Sequence, residues 1–218
     1  MNQDIVFLDQ QIRRLNIALH PQQLEQFDVY QSELLQWNAR MNLISEKSSR
    51  EIMTRHFLDS LTALRFITRP DAKIIDVGCG AGFPGLPLKI AQPGLDVFLL
   101  EANRKKVSFL KHMIRLLNLS AVHVIHDRAE HLLNTNVHKQ KFDFLISRAA
   151  LKLQTLLVLS EFFLTPQGQL IALKGPSIER EILQHDRTDN ERKIFQLIQY
   201  DIESDFDAVP RKIIIGKR

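Results

Sequence analysis

Asp76, Gly78, Gly80 and Gly82 are the residues of this chain whose types and spacing most clearly suit chemistry. They follow the apolar run Ile74-Ile75 and precede a helix-like stretch, so the glycines fall where a first strand turns into a first helix. Glycine admits positive φ and lets a ligand approach the backbone without meeting a Cβ. The helix beyond the turn begins with N–H groups that have no partner inside the helix. In doubly wound sheets, ligands bind at the carboxyl ends of the strands near the point where strand order reverses. An acidic residue, three glycines and a strand end together predict a ligand-binding turn.

Spacing separates two ligand classes. A dinucleotide turn is written G-x-G-x-x-G and sets a pyrophosphate on the helix N-terminus. Counted from Gly78, its third glycine would be residue 83, which is Phe83. The third glycine is instead Gly82, and an acid lies two residues before the first, a pattern that resembles the S-adenosylmethionine signature. That ligand has no phosphate, and a carboxylate such as Asp76 suits its ammonium. Glu101 ends the second strand, 25 residues after Asp76. A carboxylate there can accept hydrogen bonds from both ribose hydroxyls. Asp127-Arg128-Ala129-Glu130 follows the third strand, where methyltransferases commonly meet the adenine; spacing alone leaves that role open. Cys79 sits where a helix start would lower a thiol pKa, yet no base is evident beside it, and a small side chain in a tight loop explains it. His56, His112, His126 and His131 show no metal-ligand spacing, and no metal is expected.

The elements that must position these residues follow from periodicity. Residues 1–70 look helical: Leu8, Ile12, Leu15 and Leu19 form one stripe that His20-Pro21 interrupts. Phe27, Tyr30, Leu34, Trp37 and Met41 form a second, and residues 55–61 a third, shorter segment. Short apolar strands then alternate with helices: Ile74–Val77, Val97–Leu100, Val122–Ile125, Phe142–Ile146 and Leu170–Leu173. Val107, Leu110, Ile114 and Leu117 mark one intervening helix face. Two closing strands are predicted over Ile194–Ile202 and Arg211–Gly216, joined through the acidic Glu203–Asp207. The expected fold class is α/β and Rossmann-like, a mostly parallel seven-stranded sheet, with a helical extension over 1–70 packed on a 71–218 core. The 218 residues carry a net charge of +4 and a single cysteine, with 44% hydrophobic residues. One cysteine excludes a disulfide framework and a multi-cysteine metal site. No apolar run reaches membrane-span length, and a cytoplasmic location is expected.

Past the turn the pattern is more particular. Gly82-Phe83-Pro84-Gly85-Leu86-Pro87-Leu88, with Trp37-Asn38, Met41-Asn42-Leu43, Arg55-His56 and Leu58-Asp59-Ser60 upstream, closely resembles the RsmG (GidB) family. Lys105, Val107, Phe109-Leu110, Ser147-Arg148-Ala149 and Ala172-Leu173-Lys174-Gly175 extend the match, which weakens after Pro176. The resemblance implies transfer of a methyl group from S-adenosylmethionine to N7 of one guanine in bacterial 16S ribosomal RNA. It places cofactor contacts on Gly78, Phe83, Ala129-Glu130 and Arg148, and functionally important cations on Arg128, Arg148 and Lys174. The partner implied is the small ribosomal subunit, its RNA or an assembly intermediate, met by a monomer. Cys79, Glu101 and Ala102-Asn103 depart from the commonest family residues, though the carboxylate is kept. N7 has a lone pair and no proton, so no general base is needed; Arg128, Arg148 and Lys174 are expected on phosphates, O6 or the cofactor, leaving N7 free. Three other readings remain: a methyltransferase with another substrate, a dinucleotide oxidoreductase, which Phe83 argues against, and a non-catalytic RNA-binding protein.

Overall fold

Short runs of β-branched and aromatic residues form the sheet of this chain, seen in a computed structural model that describes residues 3–45, 51–188, 195–202 and 211–217. The strands are β1 (Lys73–Val77), β2 (Asp96–Leu100), β3 (Val122–Ile125), β4 (Phe142–Arg148), β5 (Leu164–Lys174), β6 (Gln196–Ile202) and β7 (Arg211–Lys217). Their order is β3-β2-β1-β4-β5-β7-β6. β1 to β5 are parallel, and β7 runs antiparallel between β5 and β6. Glu203–Asp207 and Ile194 lie outside the described residues.

Strand order reverses between β1 and β4, which pair through Ile74, Ile75 and Asp76 opposite Phe144, Leu145 and Ile146. The loops leaving these two strands therefore flank the crevice where a doubly wound sheet takes its ligand. β5 starts earlier than its apolar centre predicts. It leaves the preceding helix directly at Leu164 and passes an irregularity opposite Phe142–Phe144 before settling into register. Pro166, Gln167 and Gly168 occupy that stretch, and their turn-like composition hides the strand.

Ahead of the sheet come α1 (Gln3–Arg14) and α2 (Pro21–Met41). His20-Pro21, which breaks the first stripe, is the start signal of the second helix. Proline fits a first helical position because it has no N–H to leave unpaired. The His20 ring accepts from the Gln22 N–H at 3.4 Å, and the Gln23 side chain accepts from the His20 N–H at 2.7 Å. α2 ends at Asn42 in the left-handed conformation. The third segment is not one regular helix. It runs as a π-helical turn (Ile52–Leu58), a short α3 (Asp59–Leu61) and a 3-10 turn (Thr62–Phe66). The Ser60 and Thr62 hydroxyls donate back to the carbonyls of His56 and Asp59 at 2.5 and 2.6 Å, competing with the regular helical ladder.

The remaining helices are α4 (Gly85–Ala91), α5 (Arg104–Leu116), α6 (Ala129–Leu132), α7 (Leu153–Phe163) and α8 (Ile178–Thr188). Successive β1 residues face opposite sides, as the pleat requires. Ile74 joins a core with Ile5, Phe27, Tyr30, Leu86 and Phe109, whereas Ile75 joins Leu145, Leu156 and Phe163. The N-terminal helices thus share one continuous core with the sheet face that bears α4 and α5.

Candidate active site at the switch point

The three glycines of the turn all have positive φ, at 69° for Gly78, 60° for Gly80 and 104° for Gly82, but they meet different surroundings. A Cβ on Gly78 would stand 2.7 Å from the Cβ of Ala150, in the loop after β4. One on Gly82 would stand 2.6 Å from Leu86 and 2.7 Å from the Tyr30 hydroxyl. Those two close the turn against protein. A Cβ on Gly80 would find only the Lys106 ammonium, 3.8 Å away, so the turn is open to a ligand at Gly80.

Two carboxylates brace the turn. Asp76 is fully buried and accepts from the Gly85 N–H at 2.7 Å. Its Oδ1 has no partner among the described residues. Burial pushes its pKa up to about 7; the Gly85 bond and the Arg148 charge pull the other way, and Glu101 adds to the rise. Asp76 therefore lies beneath the turn, with one oxygen holding the start of α4 and the other available to a cation. Glu101 accepts from the Gly80 N–H at 2.9 Å and the Asn103 N–H at 2.7 Å, one on each oxygen. Each oxygen retains a second lone pair. Asn103 in turn caps α5, accepting from the N–H groups of Lys105 and Lys106.

Phe83 is the hub of the site. It is buried, stacks on Tyr30 at 5.5 Å and on His56 at 4.6 Å, and carries the Arg148 guanidinium 5.1 Å from its ring centre. The Tyr30 hydroxyl donates to the Ala81 carbonyl at 2.6 Å, so α2 props the turn from behind. Arg148 ends β4. Its guanidinium donates to the Arg55 carbonyl at 2.6 Å and to His56 Nδ1 at 2.6 Å, and lies 3.4 Å from Asp59 Oδ2.

The other expected residues are placed as follows. Arg128 stands at the residue before α6, with its side chain exposed and making no capping bond; Ala129 is buried and Glu130 exposed. Asp127 accepts from the Arg128 N–H at 2.7 Å and from His131 at 2.9 Å, which hold its carboxyl below the usual range. Lys174 is not on the solvent face that a phosphate contact needs. Its side chain is 7% exposed, donates to the Leu151 carbonyl and pairs with Glu181 at 3.3 Å. The same Glu181 oxygen accepts from the Leu153 N–H at 2.5 Å. Cys79 is buried, and burial pushes its thiol up, away from thiolate chemistry. No group of three or more metal-ligating side chains occurs among the described residues, and none of their helices is long and apolar enough to cross a membrane.

Reading the sequence for chemistry missed Tyr30, His56, Asp59 and Glu181. His56 and Asp59 carried a usable signal, because residues three apart share a helical face. Tyr30 and Glu181 carried none.

The residues fit an S-adenosyl ligand better than a dinucleotide. Two carboxylates and one open glycine suit a cation and a ribose diol, while the Gly85 N–H that a pyrophosphate would use is held by Asp76. The family model described as rRNA small subunit methyltransferase G (GidB) matches residues 23–203. Ribosomal RNA small subunit methyltransferase G of Syntrophus aciditrophicus is 45% identical over 168 residues, 77% of this chain and 70% of that protein. The protein of the same name from Desulforamulus reducens is 38% identical over 186 residues, 84% of this chain and 76% of its own. Among solved structures, M. jannaschii TYW2 in complex with AdoMet aligns with a TM-score of 0.54 at 18% identity, over 75% of this chain and 76% of that one. An Aquifex aeolicus SAM-dependent methyltransferase aligns at 0.55 and 16%, over 73% and 90%. At such identities the structural likeness establishes the fold.

Proposed function

The chain belongs to the rRNA small subunit methyltransferase G family, and from that membership we propose that it methylates N7 of one guanine in 16S ribosomal RNA. Its cofactor is S-adenosylmethionine, which supplies an electrophilic methyl on a sulfonium. The observation that carries the reading is the turn itself, with Asp76 and Glu101 on either side of the open Gly80 and the family's Phe83 motif directly behind. Glu101 is suited to the ribose hydroxyls, Asp76 to the ammonium, Gly78, Gly80 and Gly82 to close backbone approach, and Ala129-Glu130 to the adenine.

In the transfer, the N7 lone pair forms a bond to the methyl carbon as the sulfur–carbon bond breaks, and the positive charge passes to the guanine. No proton moves, so this chemistry needs no general base. The protein's task is to hold N7 about 3 Å from the methyl and in line with the breaking bond. Arg128 is free to meet phosphate. Arg148 acts from a half-buried position and Lys174 from a buried one, shaping the walls of the crevice.

Arg104, Lys105, Arg128 and Lys152 are exposed on the loops and first helical turns at the carboxyl edge of the sheet, and none is in an ion pair among the described residues. This edge is the RNA-facing side. Each phosphate contact contributes roughly 0.7–0.9 to the salt slope of binding, so Arg104→Ala with Lys105→Ala lowers that slope by about 1.4–1.8 if both meet phosphate. A monomer acting in the cytoplasm is consistent with this reading.

The deciding experiment is transfer of labelled methyl to small subunits from a strain lacking this activity, with the modified base mapped. Label on guanine N7 is expected. Label on an adenine, or on another atom of guanine, overturns the assignment.

A further inference from the structure

Arg55-His56 and Leu58-Asp59-Ser60 match a family motif, yet the methyl-transfer chemistry gives them no task. The structure sets three groups from this segment around one guanidinium. The Arg55 carbonyl and His56 Nδ1 each lie 2.6 Å from an Arg148 nitrogen, and Asp59 Oδ2 lies 3.4 Å away. His56 and Asp59 are both buried, and the Arg148 side chain is only 17% exposed. An arginine side chain offers donors only, so His56 Nδ1 must be the acceptor and the ring carries its proton on Nε2. The His56 ring also stacks on Phe83, the same ring that the guanidinium covers.

We propose that His56 and Asp59 are positioning residues, which hold the Arg148 guanidinium in one place against Phe83 at the mouth of the cofactor turn. The N-terminal segment is then part of the active site. A purely structural staple would not need this chemistry. Taking a guanidinium, an imidazole and a carboxylate out of water is expensive, and apolar side chains of the same volume hold elements together as well or better. A planar guanidinium gripped by acceptors on two sides is instead fixed in orientation, which a transfer sensitive to about 1 Å of misplacement requires. Arg148 ends β4 beside the switch point, where the acceptor base must enter.

The inference rests on the methyl-transfer reading, and the test separates the two. The proteins compared are the unsubstituted chain, His56→Leu, His56→Gln and Asp59→Asn. Methylation of small subunits by the unsubstituted chain tests the reaction. The guanidinium proton signals of Arg148 in nitrogen-15 NMR test the positioning, whatever the substrate. In His56→Leu we expect the slowly exchanging Arg148 signal to disappear and kcat to fall about ten- to hundredfold, with the melting temperature nearly unchanged. His56→Gln, whose amide oxygen can accept from Arg148, restores the signal and most of kcat. Asp59→Asn keeps the shape and loses the charge, giving an intermediate kcat. Should His56→Leu unfold, the Gln and Asn variants decide the matter alone. An Arg148 signal that persists without His56 Nδ1, an unchanged kcat in His56→Leu, or equal impairment by Leu and Gln overturns the proposal.

Discussion

Asp76 has the most unusual environment of any single residue here, a fully buried carboxyl with one oxygen bonded and one without a partner. Its pKa of about 7 means that the folded protein binds this proton more tightly than the unfolded chain. Stability from a raised carboxyl is fully present below the unfolded pKa, near 3.9, and is lost as pH rises through the folded value. For Asp76 the loss runs from about pH 4 to 7 and amounts to roughly 4 kcal/mol at most. Without ligand, the urea midpoint should therefore fall over this range. Asp76→Asn keeps an oxygen for the Gly85 N–H and removes the titration, so its profile should be flatter. Identical profiles for the two proteins would show that Asp76 does not titrate there. The acid and the glycines were legible in the sequence as a turn. That Gly78 and Gly82 pack against protein while Gly80 stays open was not, because Ala150 and Tyr30 are distant in the chain.

Among the elements, α2 and α8 act through single polar side chains. The last carbonyls of a helix lack partners within it. Gln23 donates to the carbonyls of Ile90 and Ala91 at 2.6 and 3.1 Å, closing α4, and Gln26 donates to Leu117 at 2.9 Å, closing α5. On the other sheet face, Glu181 of α8 holds Lys174 and the first N–H of α7. Gln26→Ala leaves one half-buried carbonyl without its partner and should cost about 1 kcal/mol. Glu181→Ala leaves a buried ammonium uncompensated and should cost about 3 kcal/mol. Urea titration of both variants checks the order, and a larger loss for Gln26→Ala would refute it. Periodicity exposed the apolar faces of α2 and α5 directly. It could not resolve residues 52–66, where hydroxyls bonding back to carbonyls change the helical pitch within a few residues.

On the scale of the whole molecule, the N-terminal helices and one face of the sheet share an apolar core. Ile5, Leu8, Phe27, Tyr30 and Leu34 are buried in the same core as Ile74, Val97 and Phe109. A chain beginning at residue 71 would leave Phe83, Leu86 and Phe109 facing water. It should lack a cooperative thermal transition and bind no S-adenosylmethionine, as calorimetry would read; a sharp transition with intact binding would instead make residues 1–70 a dispensable arm. The sequence by itself determined the ligand class of the turn, the five central strands and the apolar helix faces, since each depends on residues within a few positions of one another. Only the tertiary structure decided what the cations do. Arg148 meets Arg55, 93 residues away, and Lys174 meets Leu151, 23 residues away. Such contacts follow from the strand order and from how the helices pack across the sheet. No local spacing encodes either contact: Lys174 is buried and paired with Glu181, the half-buried Arg148 is held by the Arg55-His56 segment, and Arg128 stays exposed.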